Sequence, residues 1–187
     1  TFFKDIKSLL PGTFLEIDVN LNIKSKRYWD LPIIRNKEDL GERYIINKIE
    51  EILYDTVESH MISDVPVGAY LSGGLDSSLL VAIMSQLSMK PIKTYSIGFP
   101  DEGYNESEYS HMVSQRFNTD HTELIMSEGD YMGMLDEVIE FKNEPLSIPN
   151  EVALHVLSKE LKKTITVVLS GEGADELFGG YGRIFRS

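Results

Sequence analysis

The sequence contains no cysteine among its 187 residues. This absence excludes disulfides, thiolate metal sites and a cysteine nucleophile within these residues. The sequence also has no run of eighteen apolar residues and no stretch with the character of a signal-peptide core. We therefore expect a chain that does not span or cross a membrane, in a protein located in the cytoplasm.

Positive charge is scarce as well. The chain has 18 Lys and Arg against 30 Asp and Glu, which gives a formal net charge of -12. Nucleic acids and membrane surfaces are themselves negative, so a chain with this charge has little general attraction for either. We expect small-molecule substrates as partners, no nucleic acid and no membrane, and local groups that handle any phosphate.

The most informative stretch is a glycine-rich loop between a predicted strand and a predicted helix. Residues 65–71 are short and apolar, which predicts a buried strand, and residues 79–87 are apolar on nearly every side, which predicts a buried helix. Between them, Ser72-Gly73-Gly74-Leu75-Asp76-Ser77 places hydroxyls, glycines and backbone N–H groups near the start of that helix. These groups suit a phosphate, because a helix N-terminus carries unpaired donors and partial positive charge.

Asp76 is the unusual member of this loop. A carboxylate beside phosphates repels them unless a divalent cation lies between, so Asp76 predicts Mg²⁺. The loop lacks the lysine of the Walker A sequence, which disfavours an NTPase that transfers the γ-phosphate. A simpler alternative stays open at this point, in which Ser or Asp caps a core helix after a glycine turn.

The remainder of the chain predicts an α/β fold with a doubly wound parallel sheet. Strands without alternation are separated by helices, a pattern typical of a parallel sheet with helices on both faces. The strands are predicted at residues 65–71, 93–99, 121–126 and 164–169. The helices are predicted at 39–60, 79–87, 106–117, the segment that carries Tyr131, Met134, Leu135 and Val138, and 151–161. A Ser127 and Asp130 capping box is predicted before the fourth of these helices. The helix at 106–117 is predicted to turn Tyr109, Met112, Val113 and Phe117 to one side.

The first thirty residues follow a different pattern. Leu15, Ile17 and Val19 alternate with acidic residues, and a second polar and apolar run ends at Tyr28-Trp29. This alternation predicts a short β-hairpin. Residues 31–38, with Pro32 and mixed charges, are predicted to be a linker.

A second unusual loop follows the last predicted strand. Ser170-Gly171-Glu172-Gly173-Ala174-Asp175-Glu176 puts three carboxylates within five residues. Like charges packed that closely usually have a cation or a proton between them. The alternative is a solvated acidic turn. In a parallel sheet, ligands bind beyond the carboxyl ends of the strands at a switch in strand order, where both loops are expected.

Both loops resemble those of one enzyme family. The stretch 72–77 resembles the Ser-Gly-Gly-x-Asp-Ser pyrophosphate loop of the ATP pyrophosphatases. Together with residues 63–68, 95–99 and 169–181, it resembles the synthetase domain of glutamine-hydrolysing asparagine synthetases of the B type. The first hairpin resembles the last hairpin of the glutaminase domain in that family. The resemblance implies that residues 1–31 end a glutaminase domain and that 32–187 form an ATP pyrophosphatase domain truncated at its C-terminus.

The resemblance also implies an activity and a set of roles. In this family ATP and aspartate give β-aspartyl-AMP and pyrophosphate, and ammonia from glutamine then gives asparagine, with Mg²⁺ as the metal. The implied roles are pyrophosphate binding by Ser72, Gly73, Gly74, Asp76 and Ser77, nucleoside binding by the backbones of Leu71, Ile97 and Gly171 with Ser170 beside them, Mg²⁺ binding by Asp76 and Asp175, and a catalytic role for Glu172. Glu172 would support formation of the acyl-adenylate and act as a base on the incoming amine or orient it.

Several alternatives stay open. β-Lactam synthetases resemble this chain but place tyrosine where Glu172 stands, whereas other amidotransferases of the family share the glutamate. A nucleotide-binding module without catalysis is a third reading. The family's cysteine nucleophile and nearly all of its glutaminase domain would lie before Thr1, and a catalytic lysine would lie after Ser187. We therefore expect this chain to be part of a longer protein. A homodimer of that longer protein is one of the assemblies that the sequence leaves open.

Overall fold

A computed structural model describes residues 1–33, 40–100 and 107–182. The chain divides into two compact units, Thr1–Ile45 and Ile46–Ser187. In the described part of the chain, no helix is both long and apolar enough to cross a lipid bilayer.

The first unit contains the predicted β-hairpin. Strands β1 (Thr13–Ile17) and β2 (Ile23–Arg27) pair antiparallel. Asp18 closes the connection between them, because its carboxylate accepts hydrogen bonds from the amides of Asn20 (2.8 Å) and Asn22 (2.9 Å). The hairpin prediction is thus confirmed, and residues 34–38 of the predicted linker lie outside the described residues.

The second unit holds the remaining strands and helices, and α1 begins just before it. In chain order these are α1 (Glu42–Met61), β3 (Val67–Tyr70), α2 (Leu75–Leu87), β4 (Lys93–Gly98), α3 (Ser107–Phe117), β5 (Asp120–Ile125), α4 (Glu128–Lys142), α5 (Asn150–Leu161), β6 (Val167–Leu169) and α6 (Ala174–Phe178). Residues 39 and 106, where two helices were predicted to begin, lie outside the described residues. The Ser127 and Asp130 capping box is present at the start of α4.

Strands β3 to β6 form one parallel sheet, as predicted. Their spatial order is β5-β4-β3-β6, so the chain winds outward from β3 to β5 and then returns to place β6 on the other side of β3. The direction of winding therefore changes between β3 and β6. Ligands of doubly wound sheets bind at this position, beyond the carboxyl ends of the strands.

Helices cover both faces of the sheet. Successive strand residues point to opposite sides, so the strands present apolar side chains on each face. On one face, Ala69 and Leu71 belong to a buried cluster with Val57 of α1 and Val81 and Met84 of α2. On the other face, Tyr95 belongs to a cluster with Leu157 and Leu161 of α5. Leu71, Val81 and Met84 are fully buried, and burial of each such side chain contributes about 2 kcal/mol.

Among the predicted boundaries that differ, two concern elements next to the two glycine-containing loops. Helix α2 begins at Leu75, four residues earlier than predicted, so Asp76 and Ser77 lie in its first turn. Strand β6 begins at Val167 rather than at residue 164. The amide of Thr164 still donates to the carbonyl of Leu161 (2.9 Å), and its hydroxyl lies 2.5 Å from that of Tyr95, so this residue completes the end of α5.

The buried face of α3 matches the prediction only in part, because Val113 and Phe117 are half-buried but the other two predicted residues are not. Tyr109 and Met112 are 58% and 59% exposed, whereas Ser110 and Ser114 are buried. Each of these two serine hydroxyls donates to the carbonyl three residues earlier, at 2.9 Å. Their polar groups are therefore satisfied within the helix, and their small side chains let the helix backbone approach the sheet closely.

A polar layer lies beneath α3. Thr94 and Ser96 of β4 are buried, and they lie 2.9 and 3.2 Å from the two ring nitrogens of His121 on β5. Burial, and next the neighbouring His111, lower the pKa of His121 below its ordinary value, while Glu123 acts in the opposite direction. The folded chain therefore binds a proton at His121 less readily than the unfolded chain.

This shift predicts how stability depends on pH. The contribution of His121 to the free energy of unfolding should be fully present above about pH 6.5, the ordinary histidine pKa, and should be lost as the pH drops through the lower folded value. We expect His121→Gln to reduce that loss, measured by urea unfolding at pH 7.5 and 5.5. The matched control is His60→Gln, on the exposed part of α1, which should keep the wild-type pH dependence. An unchanged slope in the His121 variant would contradict this account of the polar layer.

Candidate active site

The first site loop lies between β3 and α2 and is braced by its own hydroxyls. It starts at the fully buried Leu71, whose amide donates to the carbonyl of Tyr95 (2.8 Å). The hydroxyls of Ser72 and Ser77 lie 3.0 Å apart, and Ser77 also donates to the carbonyl of Gly74 (3.2 Å). These contacts across the loop hold its two ends together.

The start of α2 is left without a side-chain cap. Gly74 occupies the N-cap position in an extended conformation, and it has no side chain that accepts from the first helical amides. Those amides are unpaired within any helix and favour an anion. The alternative in which Ser or Asp caps this helix is therefore wrong, and the predicted phosphate-binding character of the loop remains.

Gly73 is fixed by the neighbouring helix. Its φ is +85°, which favours glycine. A Cβ at this position would lie 2.5 Å from Cβ of Tyr109 and 2.7 Å from the amide nitrogen of Ser110. The loop therefore lies directly against the first turns of α3.

The second site loop follows β6 and contacts the first loop. A Cβ on Gly171 would lie 3.0 Å from Cβ of Asp76 and 3.1 Å from the amide nitrogen of Ser77. Glycine at 171 thus permits the two loops to meet at the change in winding direction, where the sequence predicts both loops but not their contact. Beside it, the hydroxyl of Ser170 accepts a long hydrogen bond from the amide of Glu172 (3.4 Å).

The carboxylates of the second loop differ in exposure. Glu172 is exposed before α6, whereas Asp175 is half-buried in its first turn. Glu176 is exposed and accepts a hydrogen bond from the Tyr181 hydroxyl (2.5 Å). The three side chains therefore have different surroundings, and Glu172 and Asp175 are the two that the sequence analysis singled out.

Ile97 lies one strand away from the first loop. Tyr70 of β3 pairs with Tyr95 of β4, so Ile97 is level with Ser72, two residues further along each strand. Its side chain is half-buried. The structure thus places the predicted nucleoside-binding backbone of Ile97 at the same carboxyl edge as Leu71.

The donor set suits a divalent cation that arrives with phosphates. In residues 1–33, 40–100 and 107–182, no three His, Asp or Glu side chains form a group able to hold a metal ion by themselves. Asp76 and Asp175 lie on the two contacting loops, and Mg²⁺ is commonly bound by one or two carboxylates together with substrate phosphates and water. The pair therefore fits Mg²⁺ bound jointly with a nucleotide.

Sequence reasoning missed the contribution of Tyr109 and Ser110. These residues shape the site because their backbone confines Gly73, although neither belongs to a site motif. The signal that indicates this contact is the spacing of small side chains at Ser107, Ser110 and Ser114, which predicts a helix face able to approach its neighbours closely.

The fold and the two contacting loops define a doubly wound α/β protein in which two glycine-containing loops meet at the change in winding direction. The family model described as asparagine synthase matches residues 48–187. The chain belongs to the asparagine synthase family.

Two curated relatives carry related names. The chain is 35% identical over 178 residues to asparagine synthetase [glutamine-hydrolyzing] 1 of Bacillus subtilis, covering 94% of this chain and 27% of that protein. It is 38% identical over 183 residues to putative asparagine synthetase [glutamine-hydrolyzing] 2 of Methanocaldococcus jannaschii, covering 93% of this chain and 35% of that protein. The chain thus spans about a third or less of the length of these relatives.

A solved structure supports the fold. The NH3-dependent NAD synthetase from Campylobacter jejuni, in complex with the nitrate ion, matches with a TM-score of 0.50 and 18% identity. The match covers 73% of this chain and 60% of that chain. At this identity the likeness concerns the fold alone.

The contact between Gly73 and α3 yields a test by substitution. Gly73→Ala should destabilise the chain in two ways: left-handed backbone costs about 1–2 kcal/mol for an alanine, and the forced contact with α3 costs about 1–3 kcal/mol more. Gly173→Ala is the matched control, because Gly173 also has a positive φ (+95°) but its Cβ would meet nothing within 4 Å. Urea unfolding should show the larger loss for Gly73→Ala, and equal losses would contradict the contact.

Proposed function

We propose that the full-length protein is an ATP-dependent carbon–nitrogen ligase that converts aspartate to asparagine. In this proposal ATP and aspartate form β-aspartyl-AMP and pyrophosphate, and ammonia derived from glutamine displaces AMP. The observation that carries the proposal is the contact of Gly171 with Asp76 and Ser77, because it unites the two loops in one site. Membership of the asparagine synthase family supports the choice of reaction.

The first loop would hold the pyrophosphate portion of ATP. The hydroxyls of Ser72 and Ser77, the backbone of Gly73 and Gly74, and the uncapped first turn of α2 offer donors to phosphate oxygens. When the carboxylate of aspartate attacks the α-phosphorus, the bond to the bridging oxygen breaks and pyrophosphate leaves with the electron pair. Donors already in place for that charge lower the barrier without rearrangement.

Asp76 and Asp175 would hold Mg²⁺ between the two loops. The ion would supply positive charge to the phosphate oxygens of the leaving group. Without it, the two carboxylates would repel the nucleotide. The residues themselves bind and orient, and they neither give nor take a proton in this proposal.

The nucleoside would lie along the strand ends. The backbones of Leu71, Ile97 and Gly171 present peptide groups at the carboxyl edge, with Ser170 beside Gly171. Leu71 is held firmly, because it is fully buried and its amide is bonded to Tyr95. A rigid edge of this kind orients the α-phosphorus toward the incoming carboxylate.

Glu172 is proposed as the catalytic carboxylate. It is exposed at the site edge and flanked by two glycines, which leave space around it. It would support acyl-adenylate formation and then orient the ammonia nitrogen or accept a proton from it as the new C–N bond forms and the bond to AMP breaks. Glu172 in place of tyrosine favours this reaction over β-lactam formation.

The wider organisation is also part of the proposal. Residues 1–31 would end a glutaminase domain that releases ammonia from glutamine, and residues 32–187 would belong to the synthetase domain. The antiparallel hairpin supports the first assignment, and the family match over residues 48–187 supports the second. The proposal also places the full-length protein in the cytoplasm. It includes a homodimer as one option for the assembly.

Pyrophosphate exchange tests the reaction. The full-length protein should incorporate labelled pyrophosphate into ATP when aspartate and Mg²⁺ are present, because adenylation is reversible before ammonia arrives. Omission of aspartate is the matched control and should abolish the exchange. Release of ADP and orthophosphate, with no exchange, would refute the proposal.

A substitution at Asp76 tests the metal role. Asp76→Asn in the full-length protein should lower the exchange rate at least about a hundredfold, since it removes a carboxylate that would hold the Mg²⁺ whose charge stabilises the leaving group. The fold should persist, because Asp76 is exposed in the first turn of α2, next to the loop. Asp136→Asn, at an exposed position of α4, should leave the rate unchanged. A well-folded Asp76 variant with near-normal exchange would rule out the metal role.

A further inference from the structure

Helix α3 is joined to β5 by a polar pair at the sheet edge. Nε2 of His111 on α3 lies 3.2 Å from Oε2 of Glu123 on β5. The Glu123 side chain is 17% exposed and that of His111 is 49% exposed. The pair is therefore partly shielded from solvent, which strengthens it relative to an ion pair on an open surface.

Glu123 is held in a confined place. Its Oε1 is buried and has no hydrogen-bond partner in the described part of the chain. The same atom lies 3.2 Å from the point where a Cβ on Gly98 would stand, and the hydroxyl oxygen of Ser107 lies 2.6 Å from that point. The carboxylate of Glu123 and the first residue of α3 thus converge on Gly98 at the end of β4.

His111 is fixed from a second side. Its ring packs edge to face on that of His121, with centroids 5.3 Å apart. His121 is in turn within hydrogen-bond distance of Thr94 and Ser96 on β4. A continuous set of polar contacts therefore runs from the sheet to the first turns of α3.

Helix α3 docks through Val113, which packs against the apolar cluster around Leu71, and through small polar side chains. Its two buried residues are Ser110 and Ser114, and their hydroxyls are satisfied within the helix. Little apolar area is removed from water by a serine, so the helix depends more than its neighbours on contacts at its edges. The Glu123 and His111 pair is such a contact.

The same turns of α3 confine the phosphate loop. Tyr109 and Ser110, which directly precede His111, are the residues whose atoms a Cβ on Gly73 would meet at 2.5 and 2.7 Å. A shift of α3 by a few tenths of an ångström would thus change the space available to Gly73. Positions in a catalytic site are sensitive at this scale, because a misplacement of about 1 Å can cost a hundredfold in rate.

We propose that Glu123 and His111 are positioning residues for the phosphate loop: they fix α3 on β5, and α3 in turn fixes the backbone of Gly73. Neither residue touches the nucleotide in this scheme. The inference rests on the proposed function insofar as the loop binds the phosphates of ATP, but the docking of α3 against Gly73 is independent of the reaction.

Two substitutions each remove the hydrogen bond between Glu123 and His111 and retain a side chain of similar size. Glu123→Leu removes the acceptor, and His111→Phe removes the donor but keeps a ring against His121. Glu123→Gln is the conservative variant, because its amide oxygen still accepts from His111. A second histidine and glutamate pair supplies the control: His155 and Glu137 lie 3.1 Å apart between α5 and α4, away from α3.

The kinetic readout separates positioning from a general loss of stability. In the full-length protein, Glu123→Leu and His111→Phe should each raise KM for ATP in pyrophosphate exchange about tenfold, with KM for aspartate unchanged. The double variant should be no worse than either single variant, since both remove one interaction. Glu123→Gln, His155→Phe and Glu137→Leu should keep the wild-type KM for ATP. Equal KM values for ATP in wild-type protein and folded Glu123→Leu would overturn the proposal.

Hydrogen exchange of the backbone amides gives a readout that needs no activity. Peptides covering residues 72–78 and 107–114 should exchange about tenfold faster in Glu123→Leu and His111→Phe than in the wild type, while the control pair leaves them unchanged. Wild-type protein without pyrophosphate exchange would refute the proposed function and leave this test intact. If Glu123→Leu does not fold, His111→Phe at the exposed partner decides, and unchanged loop exchange in that variant would overturn the inference.

Discussion

The close approach of Gly171 to the first turn of α2 is the contact on which the site depends. It brings the loop after β6 against Asp76 and Ser77, at a distance that leaves no ordinary space for a side chain at 171. This approach exists because β6 lies beside β3, although almost one hundred residues separate the two strands along the chain. Strand order, rather than either loop sequence alone, therefore brings Asp76 and the backbone donors of the first loop beside the carboxylates of the second loop.

The first loop is confined from a second direction by α3. Gly73 lies against the backbone at Tyr109 and Ser110, and that helix docks through serines and a polar layer. Such docking is sensitive to charge and to hydrogen bonding, whereas the apolar clusters around Leu71 and Tyr95 are not. The two helices thus pack differently near the site: α5 packs through buried leucines, whereas the buried residues of α3 are serines and its Val113 is partly buried.

Much of this architecture can be predicted from the sequence. Apolar strands separated by helices predict the parallel sheet, and the alternation around Leu15 and Ile17 predicts the hairpin. The two loops are identifiable because each combines glycines, hydroxyls and carboxylates after a buried strand. These features are local, so short stretches of sequence carry them.

The failures have physical causes that are not local. Periodicity favours a buried face with Tyr109 and Met112, but these side chains are exposed and Ser110 and Ser114 are buried instead, so packing between elements decides which face of α3 docks on the sheet. The start of α2 at Leu75 depends on Gly74 in an extended conformation, which residue type alone does not specify. The contact between Gly171 and Asp76 depends on β6 lying beside β3. The residues near either position in the sequence do not specify that strand order.

A crystal structure of the full-length protein with Mg²⁺ and an α,β-methylene analogue of ATP would test the central claim most directly. The account predicts the β- and γ-phosphates against the amides of the first loop, the nucleoside along Leu71 and Ile97, and the metal ion bound to Asp76 and Asp175. Phosphates bound away from the loop of residues 72–77, or a metal ion that touches neither aspartate, would contradict it.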